Sequence, residues 1–311
     1  MHKTEVADNT INMNHRIKLL FAGIIPALLL SACTTQDVET DQQARPVFPI
    51  AHENRVPVST KKDAPYESIG SSVLNPCTAT YLGDGFAITA AHCIERTVNN
   101  TEKEKPTIAF RCEGDKIRPN EENCDTIAEI TEISIPEMYL FHMLKGGDGL
   151  GVDIAFLRVE GKNLPDARFS LSDQFNLEPI KVLGYNIDKD GLTGDLSCEL
   201  LPRPNLPAAS LDNPAYDAYN YQLRTNCVAV TGASGSPVIN KENKIIGIIK
   251  ATAINEQGKI VESYATPITP QLKTAFEKFK DGSLQKKEIL GSPVSISTFK
   301  YKRQPINPGQ M

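Results

Sequence analysis

Three residues of this chain have the types and the chain order that catalysis by a serine nucleophile requires. His92 lies near the end of the apolar segment ITAAHC (88–93), Asp153 is a lone acid in the apolar run 152–159, and Ser234 lies in the Gly/Ser-rich segment 231–237. A serine hydroxyl is a poor nucleophile at neutral pH, so it needs a base within hydrogen-bond reach. A carboxylate can hold that base in the required tautomer. The three together indicate attack of a serine oxygen on a carbonyl carbon.

The segments around these residues resemble those of the chymotrypsin-like (trypsin-fold) serine proteases, in their bacterial form. ITAAHC (88–93) is similar to the family's catalytic-histidine segment, DIAFL (153–157) to its DIALL-like aspartate segment, and TGASGSP (231–237) to its serine segment. The order histidine, aspartate, serine is also that of the family. The resemblance implies an all-β fold of two six-stranded antiparallel β-barrels with a C-terminal helix.

The resemblance also implies a role for each residue. His92 would act as general base, Asp153 would orient the imidazole, and Ser234 would attack the substrate. The backbone N–H groups of Gly232 and Ser234 would form the oxyanion hole. Ala233 replaces the aspartate that pairs with a newly cut N-terminus in the digestive enzymes, so we expect the enzyme to fold directly into an active form.

Each segment also has a purely structural interpretation. His92 would then be a histidine beside a disulfide, Asp153 a solvated acid at a strand start, and 231–237 a plain turn. The occurrence of all three in the required order favours catalysis. No histidine follows Ser234, which argues against the α/β-hydrolases, whose triad ends in histidine.

Other acids and histidines fit the catalytic roles less well. Asp148 lies in a glycine-rich segment typical of an exposed turn, and His142 lies in an apolar run that favours a packed or loop position. The remaining histidines, His2, His15 and His52, lie in segments predicted to be removed or to act as a tether.

The N-terminus is typical of a bacterial lipoprotein. A basic segment (13–18) precedes an apolar stretch (19–30) that is too short to span a bilayer comfortably. The sequence LSAC (30–33) resembles the lipobox, whose cysteine becomes the lipidated first residue, here Cys33. We therefore predict a signal peptide over 1–33, with translation starting at Met1 or Met13, and a lipid-anchored protein of the cell envelope. Thr34 after the lipidated cysteine favours the outer membrane, and a plain secretory signal is the alternative.

The other cysteines are even in number, which suits an oxidising compartment. The resemblance implies a disulfide between Cys77 and Cys93 that fixes the strand carrying His92. Six cysteines allow fifteen connectivities, among which the natural remaining pairs are Cys112 with Cys124 and Cys198 with Cys227. A zinc site is disfavoured because no C-x-x-C occurs, and neither a metal nor a cofactor is expected.

The hydrophobic pattern divides the chain into a signal peptide (1–33), a polar, flexible tether (34–66), an N-terminal barrel (67–165), a C-terminal barrel with its helix (166–283) and a mildly basic, loosely ordered tail (284–311). Short apolar segments between turn residues predict strands at 78–82, 85–89, 107–112, 126–133, 152–159, 180–185, 221–230, 237–239, 244–252 and 259–265. Apolar residues at helical spacing predict a helix over 270–280.

Alignment from Ser234 places the base of the substrate pocket near Val228 and its wall near Lys250, Ala251 and Thr252. No acid appears in these segments, so we expect a small or apolar substrate side chain rather than Lys or Arg. The net charge of −5 indicates no basic surface for nucleic acid.

We therefore predict a secreted, membrane-tethered serine endopeptidase acting on protein or peptide substrates, with the membrane as its other partner through Cys33. The alternative is an inactive protease-fold binding protein or adhesin at the cell envelope.

Overall fold

A computed structural model of the chain describes residues 50–60, 65–72, 76–94, 106–112, 123–136, 139, 152–166, 169–176, 178–202, 222–284 and 296–300. The predicted signal peptide with Cys33, and also His142 and Asp148, lie outside the described residues. Within those ranges, no helix is both long enough and apolar enough to cross a membrane.

The described residues include fifteen strands, a short 3-10 helix (Tyr66–Ser68) and the α-helix α1 (Pro270–Lys280); residues 92–94 are also helical. The strands are β1 (Val56–Pro57), β2 (Ile69–Ser72), β3 (Thr78–Gly83), β4 (Phe86–Thr89), β5 (Thr107–Cys112), β6 (Cys124–Pro136), β7 (Ala155–Glu160), β8 (Ser170–Leu171), β9 (Pro179–Gly184), β10 (Thr193–Leu201), β11 (Leu223–Thr225), β12 (Pro237–Ile239), β13 (Lys244–Ile254), β14 (Ile260–Pro267) and β15 (Ile296–Lys300).

Twelve of these strands form two closed antiparallel barrels of six strands each. The first has the order β6-β5-β2-β3-β4-β7 and closes by pairing of β7 with β6. The second has the order β10-β11-β14-β13-β12-β9 and closes by pairing of β9 with β10. Closure gives every barrel strand a barrel neighbour on both sides. The predicted fold class is therefore confirmed.

Helix α1 follows the second barrel but packs against the first. Thr269 caps its N-terminus by accepting a hydrogen bond from Leu272 N, and proline occupies its first turn, where no N–H is needed. Phe276 and Phe279 pack against Phe86 of β4 and Phe156 of β7. The helix therefore braces the two strands that adjoin His92 and Asp153 in the chain.

Two segments outside the predicted barrels form β-structure. Residues 50–60, assigned above to a flexible tether, lie along the second barrel: β1 pairs with β10, and Ile50 pairs with Ile260. In the tail, predicted to be loosely ordered, β15 pairs with β6 over five residues. Each segment pairs with a stretch of a barrel strand that the neighbouring barrel strand does not cover.

Candidate active site

Strand pairing brings His92 and Asp153 together. In the register of β4 with β7, Thr89 lies opposite Ala155. His92 follows Thr89 after one short turn, and Asp153 precedes Ala155 by two positions, so both lie at the same end of the strand pair. Because antiparallel partners face each other directly, the chain needs no long loop to join acid and base.

The Asp153 carboxylate makes two contacts with His92. Its Oδ2 lies 2.6 Å from His92 Nδ1, and its Oδ1 accepts a hydrogen bond of 3.0 Å from His92 N. Asp153 is 4 % exposed, whereas the His92 side chain is 35 % exposed. With the proton on Nδ1, Nε2, which lies 3.7 Å from Cys93 Sγ, is the nitrogen that can accept a proton. A buried carboxylate in this position can orient the partly exposed imidazole, which is the geometry that general-base catalysis by histidine requires.

The turn that carries Ser234 is fastened to the first barrel through Thr78 at the start of β3. Thr78 N donates to Ser234 O (2.7 Å), and Thr78 Oγ1 donates to Gly232 O (3.0 Å). Thr89 Oγ1 donates to Thr78 O (2.7 Å). Since Thr89 ends the strand that precedes His92, this hydrogen-bond chain runs from the serine turn of the second barrel to the histidine strand of the first.

Two glycines of this turn have positive φ and no room for a side chain. Gly232 has φ +98°, and a Cβ there would lie 2.2 Å from Tyr185 O. Gly235 has φ +85°, and a Cβ there would lie 2.0 Å from Thr78 O. The turn can approach both neighbouring backbones only because both positions are glycine.

Among the described residues, the backbone N–H groups of Gly232 and Ser234 make no hydrogen bond to the protein. The N–H groups of the adjacent residues do make such bonds: Ala233 N donates to Val230 O (2.9 Å), and Gly235 N donates to Ile249 O (2.8 Å). Across the part of the chain that the structure describes, neither Gly232 N nor Ser234 N donates to a protein acceptor. Two free donors two residues apart in a glycine turn can bind an anionic oxygen.

The hydroxyl of Ser234 is partly exposed and, among the described residues, makes no hydrogen bond with another protein group. The acid–base contact predicted from the sequence is therefore formed, and the base–nucleophile contact is not. In enzyme structures without substrate, catalytic hydrogen bonds are often long and tighten only in the complex.

The three disulfides are those favoured by the sequence: Cys77–Cys93, Cys112–Cys124 and Cys198–Cys227. Cys77 precedes Thr78, which bonds to the serine turn, and Cys93 follows His92. The first disulfide therefore links the segment that holds the serine turn to the segment that carries the histidine. The Sγ atoms of Cys77 and Cys93 also lie within 4.8 Å of a His92 ring nitrogen. Both sulfurs are consumed by the disulfide and offer no thiolate to a metal ion.

The predicted substrate pocket contains an acid that the sequence did not reveal. Val228 and Lys250 are each 6 % exposed, Ala251 is half-buried and Thr252 is exposed. Asp195 of β10 is 1 % exposed, and its Oδ2 accepts a hydrogen bond of 3.3 Å from Val228 N. No local pattern signals this contact, because the carboxylate reaches Val228 from a bulge in β10, a strand that is adjacent in the sheet but distant in the chain.

A family model described as a trypsin-like peptidase domain matches residues 77–248, which is more than half of the chain. The matched range includes all three residues of the predicted triad. It also includes the oxyanion candidates and the three disulfides described above.

Curated relatives match over a shorter range. A probable periplasmic serine endoprotease DegP-like of Ectopseudomonas mendocina is 27% identical over 135 residues, which is 42% of this chain and 26% of that protein. A protein of the same description from Pseudomonas putida (strain GB-1) is 26% identical over 137 residues, 43% of this chain and 26% of that protein. The match thus spans about a quarter of these relatives.

Among solved structures, that of a Glu endopeptidase in complex with MPD aligns with 76% of this chain and 99% of its own length. Its TM-score is 0.52 and its sequence identity 20%. This similarity is one of fold.

Proposed function

This chain belongs to the trypsin-like peptidase domain family, and from that membership we propose that it is a serine endopeptidase with the triad His92, Asp153 and Ser234. The contact of 2.6 Å between His92 Nδ1 and the buried Asp153 carboxylate carries the proposal. A carboxylate buried at this depth requires a partner, and the imidazole is both its partner and a base near neutral pH.

In the proposed mechanism, Ser234 Oγ attacks the carbonyl carbon of the scissile peptide bond while His92 Nε2 takes its proton. The imidazolium that forms is stabilised by Asp153. The carbonyl oxygen becomes an oxyanion and accepts hydrogen bonds from Gly232 N and Ser234 N. His92 then protonates the leaving amine as the C–N bond breaks, which leaves the acyl group as an ester on Ser234 Oγ. Water attacks this ester while His92 takes its proton, and His92 returns the proton to Ser234 Oγ as the acid product leaves.

The substrate side chain next to the scissile bond would enter a pocket based at Val228 and walled by Lys250, Ala251 and Thr252. We propose that a small or apolar side chain fits best. The Asp195 carboxylate is directed to backbone donors, since Ser197 N also approaches Oδ1 at 3.5 Å. An acid so engaged and only 1 % exposed is a poor partner for a cationic substrate side chain.

We further propose that the protease acts in the bacterial cell envelope on protein or peptide substrates. The periplasmic description of the curated relatives supports this location, and three disulfides suit an oxidising compartment. Anchoring to the outer membrane through a lipidated Cys33 is part of the proposal. It predicts that Cys33→Ser moves the protein from the membrane fraction to the soluble fraction.

The test of the activity is hydrolysis of a peptide library by the purified protein, with products identified by mass spectrometry. We expect cleavage that disappears in Ser234→Ala and His92→Ala. Ser236→Ala is the matched control, because Ser236 is fully buried and its Oγ has no partner among the described residues. Its removal should leave cleavage unchanged. No cleavage by the wild-type protein, or equal cleavage by Ser234→Ala, would favour the inactive binding protein instead.

A further inference from the structure

The segment 50–60 lies along the second barrel, far in sequence from the rest of that barrel. Val56 and Pro57 pair with Gly194 and Thr193 at the start of β10. Val58 N donates to Leu192 O (2.9 Å), just before the same strand. The segment therefore lies beside the loop between β9 and β10, residues 185–192, which we call the β9–β10 loop.

Arg55 connects this segment to the β9–β10 loop. Its guanidinium donates two hydrogen bonds to the Asp188 carboxylate, at 2.9 and 2.7 Å, and further bonds to Glu53 at 3.0 and 2.7 Å. The side chain of Arg55 is 0 % exposed and that of Asp188 is 11 % exposed. Bidentate geometry and burial on both sides make this the kind of ion pair that fixes position.

The β9–β10 loop in turn lies on the backbone of the serine turn. Ile187 N donates to Thr231 O (2.9 Å), and Asn186 Oδ1 accepts from Val230 N (3.1 Å). Tyr185 O lies so close to Gly232 that a Cβ at position 232 would be 2.2 Å from this oxygen. The loop therefore supports the peptide that carries Gly232 N, one of the two proposed oxyanion donors. Asp188 directly follows Ile187, the residue whose N–H bonds to Thr231.

We propose that Arg55 and Asp188 are positioning residues: their ion pair holds the β9–β10 loop against Thr231 and Gly232, and so keeps the oxyanion hole in its working shape. The inference rests on the proposed function. It identifies what replaces the aspartate and cut N-terminus of the digestive enzymes, because Ala233 offers no carboxylate at that place. The cation here is an arginine side chain within an intact chain, so no cleavage is needed to create it.

The test compares Arg55→Met with Arg224→Met in the full-length protein. Arg224 is the matched control, since it forms a two-pronged ion pair with Glu262 between β11 and β14 of the same barrel, at 2.7 and 3.1 Å. Removal of Arg55 leaves carboxylates that are 11 % and 39 % exposed and can be hydrated. Thermal unfolding of both variants is measured alongside activity.

We expect kcat/KM of Arg55→Met to fall about 10- to 100-fold, as for a catalytic group displaced by about 1 Å, while Arg224→Met stays within about twofold of wild type. The loss should appear in kcat rather than KM. The Ki of a peptide aldehyde, whose adduct places an oxyanion in the hole, should rise by the same factor. Arg55→Lys, which keeps the charge but not the fork, should restore part of the activity.

Equal activity of Arg55→Met and Arg224→Met would overturn the proposal, as would a loss confined to KM. If Arg55→Met does not fold, Asp188→Asn decides, because its amide oxygen still accepts one hydrogen bond from Arg55. We expect an intermediate loss of kcat there, and wild-type kcat would overturn the proposal. Failure of the proposed function itself looks different: wild-type protein and Ser234→Ala would then be equally inactive.

Discussion

Gly232→Ala tests how closely the serine turn is packed against the β9–β10 loop. An alanine Cβ would lie 2.2 Å from Tyr185 O and 3.1 Å from Ile187 N, both backbone atoms that cannot rotate away. The φ of +98° is also unfavourable for any residue with a Cβ, at a cost of about 1–3 kcal/mol. Overpacking adds about 1–3 kcal/mol.

Gly258→Ala separates these two effects. Gly258 also has positive φ, +73°, but a Cβ there has no atom within 4 Å. Gly258→Ala therefore carries the cost of φ without that of overpacking. At roughly 2–4 °C per kcal/mol for a domain of this size, Gly232→Ala should unfold roughly 2–12 °C below Gly258→Ala.

Activity should separate the two variants further. Moving Gly232 N away from the oxyanion should lower kcat by about 100- to 1,000-fold, whereas Gly258→Ala should keep wild-type kcat. The assays are differential scanning calorimetry and peptide hydrolysis at saturating substrate. Equal unfolding temperatures and equal kcat for the two variants would refute the close approach of Gly232 to Tyr185 and its role in catalysis.

Three other substitutions test the contact of Asp153 with His92, the Cys77–Cys93 disulfide and the contact of Glu53 with Arg55. Asp153→Asn should lower kcat by about 10,000-fold, because the amide favours the wrong imidazole tautomer; kcat within tenfold of wild type would contradict the assignment. Cys77→Ser with Cys93→Ser should lower the free energy of unfolding by about 3 kcal/mol, the loop-closure value for 16 residues; an unchanged urea midpoint would contradict it. Burial raises the pKa of Glu53, but hydrogen bonds from Arg55 outweigh it and hold that pKa below 4.5. The stability that this carboxylate contributes is therefore present above about pH 4.5 and is lost as the pH falls through the lowered pKa. In a plot of Tm against pH, Glu53→Gln should therefore show a smaller fall of Tm in acid than the wild-type protein. An equal fall in both proteins would refute the pairing of Glu53 with Arg55.

The sequence predicted the bounds of those elements whose apolar residues form a clear local pattern. The helix was predicted with the bounds observed, and its buried residues Leu272, Ala275, Phe276 and Phe279 are those at helical spacing. Strands β5 and β12 also have the predicted bounds. The helix shows a hydrophobic period with burial on one side, whereas β5 and β12 are short apolar runs that are buried over most of their length. Both are signals that local sequence carries.

Strands β2 and β10 were missed because their sequences lack that signal. Strand β2 reads IGSS, where the barrel packs Gly70 so closely that a Cβ would lie 2.6 Å from Phe110. Strand β10 contains the buried Asp195 and a bulge before Cys198. The predicted strand 221–230 pairs only over Leu223–Thr225. Backbone beyond Thr225 instead bonds to Asp195 and Asn186, partners distant in the chain.

The role of residues 50–60 was also beyond local patterns. Their polar, proline-bearing composition is that of a linker, and their order comes from Arg55 meeting Asp188, a partner 133 residues away. A charge pair at such separation leaves no period or motif in the sequence. The same holds for Asp195 beside Val228.

The most direct measurement of the central claim is covalent labelling by a fluorophosphonate, followed by mass spectrometry of the labelled peptide. Such probes require a serine activated by a neighbouring base. We expect a single adduct on Ser234 in wild-type protein and in Ser236→Ala, with none in Ser234→Ala or His92→Ala. An unlabelled wild-type protein, or an adduct that persists in Ser234→Ala, would contradict it.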